Sequence, residues 1–242
     1  MPLRRLTARD RSATANWQLA ALLAFTAGTV DVSGYLALRQ FTSHMSGLVA
    51  AMAADIATQG FRAFTQPAVV LSCFLAGAAS CAVLVNWERR RNRESLFAVP
   101  VLLEALLLAS LALPLESRHV FLTLCVLGFS MGLQNAIITK ISHAEIRTTH
   151  ITGMVTDIGI ELGKLLYWNS PRYRQTEVPV TADLAKMKLL ASLLGAFFSG
   201  GVAGALGFKH LGFISTLPLA ALLLVLAAVP IADDLAEWLR PN

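Results

Sequence analysis

The chain has 242 residues, of which 55% are hydrophobic and only 14% are charged, and its mean hydropathy is +0.60. Soluble domains carry about 25% charged residues, so this composition excludes an ordinary soluble domain and predicts a single all-α integral membrane domain over 1–242. The formal net charge of +5 comes largely from arginines clustered between apolar runs. That pattern sets membrane orientation and does not predict nucleic-acid binding.

Six apolar runs are each close to the roughly 20 residues that cross about 30 Å of hydrocarbon as a helix. In chain order they are 17–38, 66–87, 96–114, 120–139, 187–208 and 211–231. The basic segment 1–16 precedes the first run, which is too long for the apolar part of a signal peptide, so we expect it to be retained. Two shorter runs, 45–58 and 151–167, are interrupted by polar residues, and the hydrophilic segment 168–186 follows the second of them.

The distribution of positive charge distinguishes two topologies. If all eight segments crossed, 12 of the 20 Lys and Arg residues would lie inside, whereas 16 lie inside if 45–58 and 151–167 return without crossing. The positive-inside rule therefore predicts six transmembrane helices and two short re-entrant or broken helical segments. Both termini, 1–16 and 168–186 are then cytoplasmic. A broken helix that crosses at a slant would give a similar charge count and stays open.

The two halves of the chain share a pattern that indicates an internal duplication. Gly28 and Asp31 match Gly132 and Asn135 at an offset of 104, and "TSHMSG" (42–47) matches "TTHITG" (148–153) at an offset of 106. Further on, "LSCFLAGAASCA" (71–82) resembles "LGAFFSGGVAGA" (194–205). Three crossings in each half require the second half to be upside down, which predicts inverted-topology repeats at about 17–114 and 120–232. Transporters often use this architecture, with sites near the midplane where interrupted helices meet.

The duplicated polar segments are the main candidates for a solute site, because backbone that breaks inside lipid must line a cavity or be buried in protein. Ser46 and Thr152 are predicted to cap the short helices, and Gly47 and Gly153 permit close approach. Two inverted half-helices would aim their N-termini at each other, which favours an anion or a polar oxygen between them. The candidate substrate-binding residues are Thr42, His44, Ser46, Gly47, Thr148, His150, Thr152 and Gly153, with Asp31, Gln134 and Asn135 beside them.

Four titratable residues are candidates for proton coupling. His44 and His150 can take up a proton in the physiological range, or they can cap helix ends and bond to loop backbone. Asp31 and Glu104 lie within apolar runs, where an ionisable residue costs roughly 2.5–3.5 kcal/mol on insertion scales and is a functional candidate. The alternative roles are a buried hydrogen bond for Asp31 and a hydrogen bond to another helix for Glu104.

Other features of the sequence favour structural roles. Asp157 and Glu161 lie on one face of the second short segment, and Glu161 precedes Lys164 by three residues, which predicts a local ion pair. The spacing of Cys73, Cys81 and Cys125 fits neither a metal site nor a disulfide framework, so we interpret them as packing residues.

Small residues at Gly200 and Gly204 form a GxxxG pattern that serves contacts within the chain or a homo-oligomer. No Walker loop, GxGxxG, HExxH or GxSxG motif occurs, and we predict no metal, no cofactor and no enzymatic activity.

The segment "AGTVDVSGYLALRQFTSHMSGLVAAMA" and the later "MGLQNAIITK" and "TTHITGMVTDIG" resemble the YoaK family of bacterial membrane proteins. The resemblance covers about 17–235 and implies a six-helix protein of the bacterial cytoplasmic membrane, without an established substrate. The family's Gly and Asp fall on Gly28 and Asp31, its Gln-Asn on Gln134 and Asn135, and its second Thr-Gly on Thr152 and Gly153. Its first Thr-Gly-Asn falls on Ser46, Gly47 and Leu48, so this chain has leucine where the family has asparagine.

Together these features predict a secondary transporter or permease for a small polar or anionic solute. Its site would lie where the two inverted TxHxxG half-helices meet. The alternative is a non-transporting membrane scaffold that binds a partner protein, in which the repeats only serve folding. An intramembrane enzyme would need a carboxylate, serine or histidine cluster converging on one accessible cavity. The partners expected are the lipid bilayer and the solute.

Overall fold

A computed structural model of the protein describes residues 13–58, 61–91, 96–113, 120–141, 150–167 and 180–238. All regular structure in these ranges is helical. The helices in chain order are α1 (Ala13–Leu38), α2 (Met45–Thr58), α3 (Phe61–Arg90), α4 (Ala98–Leu111), α5 (Val120–Ile141), α6 (Ile151–Leu166), α7 (Leu184–Leu211) and α8 (Leu217–Trp238), with a 3₁₀ turn at Gly212–Thr216.

Each of the eight predicted apolar segments forms a helix, and the two short segments form the separate helices α2 and α6. Four stretches are long and apolar enough to cross a membrane by length and composition: Thr14–Leu38, Phe64–Arg90, Val120–Lys140 and Leu184–Ala232. The last of them contains α7 and most of α8. The run 96–114 yields only the 14-residue α4, since a proline at 114 disfavours helical backbone in the residue before it. The chain is therefore a helical membrane protein.

The helices pack in pairs. The most extensive contacts join α1 to α7, α3 to α5, and α4 to α8, while α5 also contacts α1 and α4. The short helices lie at the periphery, α2 against α3 and α6 against α7. Large apolar side chains face outward from the long helices, such as Leu75, which is 62% exposed, and Phe198, which is 71% exposed. Such exposed apolar side chains suit a lipid environment.

Glycines bring α1 and α7 into backbone contact. A Cβ built on Gly28 would overlap the carbonyl oxygen of Phe197, and one built on Gly200 would overlap that of Phe25. Thr29 Oγ1 also donates a 2.9 Å hydrogen bond to the Gly200 carbonyl. Small residues and interhelical hydrogen bonds of this kind stabilise helix pairs in membranes. The GxxxG glycines therefore serve a contact within the chain.

The same arrangement recurs between α5 and α3. A Cβ built on Gly132 would overlap the carbonyl oxygen of Phe74, and one built on Gly77 would overlap that of Phe129. These four residues occupy the positions that the sequence alignment pairs with the four residues of the α1–α7 crossing, at an offset of 104 between α1 and α5 and of 123 between α3 and α7.

Contacts along the helices fix their relative directions. Trp17 Nε1 donates to Ser192 Oγ and Ser33 Oγ donates to the Gly204 carbonyl, so α1 runs parallel to α7. The Cβ positions of Gly128 and Gly77 lie near Val70 and Leu133 respectively, so α3 runs parallel to α5. Between α1 and α5 the order reverses. Leu23 accepts a hydrogen bond from Gln134 Nε2, whereas a Cβ on Gly34 would lie 3.1 Å from Leu127 Cδ1. Helix α1 is therefore antiparallel to α5.

Candidate functional site

Asp31, near the end of α1, holds the loop that precedes α2. Its Oδ1 accepts hydrogen bonds from the backbone N–H groups of Thr42 (3.0 Å) and Ser43 (3.1 Å), and a longer one from the Thr42 hydroxyl (3.4 Å). Its Oδ2 accepts a 2.8 Å bond from the Ser43 hydroxyl. The whole residue is only 5% exposed. Asp31 thus has the buried hydrogen-bonding role that the sequence left open, and it fixes where α2 begins.

The predicted helix caps are wrong by two positions. Helices α2 and α6 begin at Met45 and Ile151, so Ser46 and Thr152 are the second helical residues. The cap position of α6 is His150, which makes no side-chain cap hydrogen bond. The carbonyl groups of His44 and His150 accept the first helical bonds, each of 3.0 Å. Each helix therefore starts one residue before Ser46 or Thr152, because the carbonyl group of the preceding histidine already accepts the first helical hydrogen bond.

The two histidines have the same local geometry. Each ring folds over the glycine three residues later, so that a Cβ on Gly47 would collide with the His44 ring and one on Gly153 would collide with the His150 ring. Only glycine leaves room for this side-chain position. The two glycines were predicted to permit close approach, and the group that approaches each of them is the histidine ring of its own segment.

Both duplicated segments face one cavity of about 780 Å³. Most of its lining consists of residues that the sequence alignment pairs between the two halves. The pairs are Asp31 with Asn135, His44 with His150, Met45 with Ile151, Ser46 with Thr152, and Phe74 with Phe197; Phe41, Ser43 and Thr139 complete the lining. The cavity is therefore nearly symmetric in residue type, and it differs most where Asp31 stands opposite an asparagine.

Six of the eleven predicted substrate-binding residues line this cavity: Asp31, His44, Ser46, Asn135, His150 and Thr152. Four others lie outside its lining. Thr42 is fully buried and donates to Asp31, Gly47 and Gly153 lie under the histidine rings, and Gln134 is buried with its amide on the Leu23 carbonyl at 2.7 Å. The eleventh, Thr148, lies outside the described residues.

Sequence reasoning missed the aromatic and apolar part of the lining. Phe74 and Phe197 reach the cavity because the glycine crossings hold their backbones against α5 and α1. Their match at an offset of 123 was visible in the sequence, but an isolated phenylalanine in an apolar run carries no polar signal. Met45 and Ile151 lie inside the repeat, but their apolar side chains carry no polar signal either.

A second cavity of about 400 Å³ lies beside α2 and shares Phe41 and His44 with the central one. Its polar lining includes Arg39, Asp55 and Gln66. Leu48 also borders this second cavity and is absent from the central lining.

The remaining titratable candidates lie away from the central cavity. Glu104 is completely buried on α4, and neither of its carboxyl oxygens has a hydrogen-bond partner among the residues that the structure describes. The predicted ion pair is present, since Lys164 Nζ lies 2.8 Å from Glu161 Oε1. Glu161 Oε2 also accepts a 2.7 Å bond from the Asp183 backbone N–H, which attaches α6 to the start of α7. In the described part of the chain, no cluster of three or more His, Cys, Asp or Glu residues is arranged to hold a metal ion.

Comparison with known proteins gives a family and no activity. A family model described as a protein of unknown function (DUF1275) matches residues 19–229. The UPF0700 transmembrane protein YoaK of Bacillus subtilis (strain 168) is 26% identical over 158 residues, which cover 64% of this chain and 70% of that protein. No solved structure matches the chain.

Proposed function

The chain belongs to the DUF1275 family of unknown function, and from this starting point we propose that it is a secondary transporter or permease for a small polar or anionic solute. The central cavity is the proposed binding site. The observation that carries this proposal is that His44 and His150, about a hundred residues apart in sequence, line the same cavity together with the first residues of two short helices. A scaffold needs no such cavity, and its presence favours transport.

The chemistry of the lining favours a solute with hydrogen-bond acceptors. The first turn of an α-helix leaves backbone N–H groups without intrahelical partners and carries a partial positive charge. Met45 and Ser46 of α2, and Ile151 and Thr152 of α6, bring two such turns to the cavity wall. The two imidazole rings add further donors. The Asp31 carboxylate opposes an anion less than its charge suggests, because both its oxygens accept hydrogen bonds from the 42–43 segment.

Six crossings follow from the directions of the helices if the long helices span the bilayer. Because α1 is antiparallel to α5 and α5 is parallel to α3, α3 must start on the side of the membrane where α1 ends, and α2 therefore returns without crossing. The same reasoning makes α6 return between α5 and α7. Helices α3 and α5 run in the same direction, so the chain must cross back through the segment that contains α4. We therefore propose two inverted repeats, each with three crossings.

The orientation and the membrane are part of the same proposal. The positive-inside distribution places both termini in the cytoplasm, and the bacterial relative supports a cytoplasmic membrane. With six crossings, α2 approaches the cavity from the outside and α6 approaches it from the inside. This arrangement of half-helices suits alternating access around a fixed site. We propose no catalytic role. A homo-oligomer stays a proposal, and it does not rest on Gly200 and Gly204, because both glycines pack against α1 of the same chain.

Asp31, the two histidines and Glu104 remain the candidates for proton coupling. Protonation of His44 or His150 would add positive charge to the cavity wall, which would strengthen anion binding. Glu104 is not among the residues that line the central cavity, so any proton coupling through it would be indirect.

A binding and flux experiment tests the proposed site. The purified chain would be screened for thermal stabilisation by chloride, phosphate, acetate, lactate and glycerol, and any hit would be measured for flux into liposomes. We expect a saturable ligand whose affinity falls at least tenfold in His44→Ala and in His150→Ala, because each variant removes a donor from the cavity wall. His210→Ala, at an exposed position near the end of α7, is the matched control and should bind normally. Unchanged affinity in a variant that carries both His44→Ala and His150→Ala would refute the site.

A further inference from the structure

Cys73 on α3 and Cys125 on α5 face each other across the second glycine crossing. Both are partly exposed and line one cavity of about 420 Å³ together with Phe64, Phe121 and the hydroxyl residues Thr65 and Ser72. This cavity is separate from the central one, and the cysteines are 52 positions apart in sequence. The spacing rules applied to the sequence could not pair them.

The close packing of α3 and α5 explains why the two cysteines lie side by side. A Cβ built on Gly128, three residues after Cys125, would lie 3.0 Å from the Val70 carbonyl oxygen and 3.4 Å from Cys73 Cβ. The two helix backbones are therefore nearly in contact at this height. The parallel register that pairs Gly77 with Phe129 also pairs Cys73 with Cys125, because each is displaced by one helical turn.

Packing alone does not require cysteine at these positions. The corresponding positions of the α1–α7 crossing are Ala21 and Ala196, in the same register as Phe25 and Gly200. The related crossing thus forms with two alanines. The third cysteine, Cys81, is fully buried and lies two turns further along α3.

We propose that Cys73 and Cys125 form a disulfide site that covalently joins α3 to α5. The oxidant is a low-molecular-weight disulfide. One thiolate of the pair attacks it, forms a mixed disulfide and releases one thiol of the oxidant. The second thiolate attacks the mixed disulfide and releases the other thiol, so the protein loses two electrons and two hydrogens and the oxidant becomes two thiols.

The position of the pair suits oxidation from an aqueous side. Cys125 is only five residues, about 8 Å at 1.5 Å per residue, from the start of α5. Under the six-crossing topology proposed above, this end of α5 faces the outside of the cell, where disulfides persist. The disulfide proposal itself rests on the register of α3 and α5 and on the cavity that both cysteines line, and it is independent of that topology and of transport.

Intact-mass measurement after treatment with dithiodipyridine, a small uncharged disulfide, tests the proposal on the purified full-length chain. In the wild type we expect loss of two hydrogens and release of two thiopyridone molecules. Cys73→Ala and Cys125→Ala cannot resolve the mixed disulfide, so each should retain one thiopyridyl group at the remaining cysteine. Cys81→Ala should behave as the wild type. Peptide mapping should recover 73 linked to 125 within one chain.

Three results would overturn the proposal: two thiopyridyl groups retained on the wild type, no reaction at either cysteine, or a link found only between chains. Folding of the alanine variants is checked by their thermal unfolding midpoints, and Ala21 and Ala196 indicate that the crossing accepts alanine. As an independent measurement, Ala21→Cys with Ala196→Cys in a chain lacking the native cysteines should form the equivalent bond between α1 and α7. Failure of that bond, with the variant folded, would contradict the register on which the pairing depends.

Discussion

Asp31 illustrates how a buried charge can serve local structure at the edge of a candidate site. The carboxylate accepts four hydrogen bonds from Thr42 and Ser43, and it also borders the central cavity. The chain reverses between these residues at Arg39, whose φ of 57° is unusual for a residue other than glycine. Because the reversal places 42–43 over the end of α1, the carboxylate determines where α2 starts and hence where His44 points.

Removal of the Asp31 carboxylate should loosen the start of α2. We expect Asp31→Ala to raise the hydrogen-exchange rate of the Thr42 and Ser43 amides at least tenfold and to lower the free energy of unfolding by about 3 kcal/mol, since a hydrogen bond to a charged group contributes roughly 1.5–3 kcal/mol. Asp31→Asn keeps one acceptor oxygen and should have a smaller effect. Ser46→Ala, at a cavity-lining hydroxyl, is the control and should leave both amides protected. Equal exchange in Asp31→Ala and the wild type would contradict the anchoring role.

At the scale of the elements, four glycines decide how closely the long helices pack. In each crossing, one glycine on either helix receives the carbonyl oxygen of a phenylalanine on the other. The sequence predicted the small residues as helix contacts, and that prediction is confirmed for contacts within the chain. It could not predict which carbonyl each glycine receives, because that depends on the register between helices more than 45 residues apart.

A pair of alanine substitutions on α7 tests this packing. Gly200→Ala should lower the free energy of unfolding by about 2 kcal/mol, because overpacking typically costs 1–3 kcal/mol and the new methyl group would meet the Phe25 carbonyl. Gly195→Ala lies on the same helix with open space around its Cβ position, so it should be neutral or stabilise the helix by up to about 1 kcal/mol. Unfolding of the purified variants in detergent measures both changes. Equal loss at the two positions would mean that helix–helix contact is not the cause.

At the scale of the whole molecule, the six-crossing topology is our proposal, and the directions of the helices are the reason for it. An eight-crossing chain would place the two ends of α2 on opposite sides of the membrane, whereas six crossings place them on the same side. The charge count favoured six crossings without reference to any contact, and the antiparallel arrangement of α1 and α5 supports the same count independently.

Single-cysteine labelling in whole cells separates the two topologies. In a chain whose native cysteines are replaced by alanine, we expect Gln40→Cys and Thr58→Cys, which flank α2, both to react with a membrane-impermeant maleimide from outside. Tyr167→Cys, at the end of α6, should react only after the cells are permeabilised. Labelling of Gln40→Cys and Thr58→Cys from opposite sides would establish that α2 crosses, and the inverted-repeat proposal would then fail.

The sequence by itself determined the membrane class, the eight helical segments and the positions matched between the two halves. These are local properties: they follow from hydrophobicity, helix length and residue spacing, which do not depend on neighbouring helices. The segment 45–58 coincides with α2 as a result, and 151–167 differs from α6 by one residue.

Only the tertiary structure decided which side chains share a cavity. It placed His44 beside His150 and left Thr42 and Gly47 outside the central lining, although all four belong to the repeated motifs. It added Phe74 and Phe197, and it placed Cys73 and Cys125 in the lining of one cavity. Each of these outcomes depends on helix register and on the direction in which a side chain leaves its helix. Those quantities are set by contacts between positions far apart in the chain, and for that reason no local pattern could specify them.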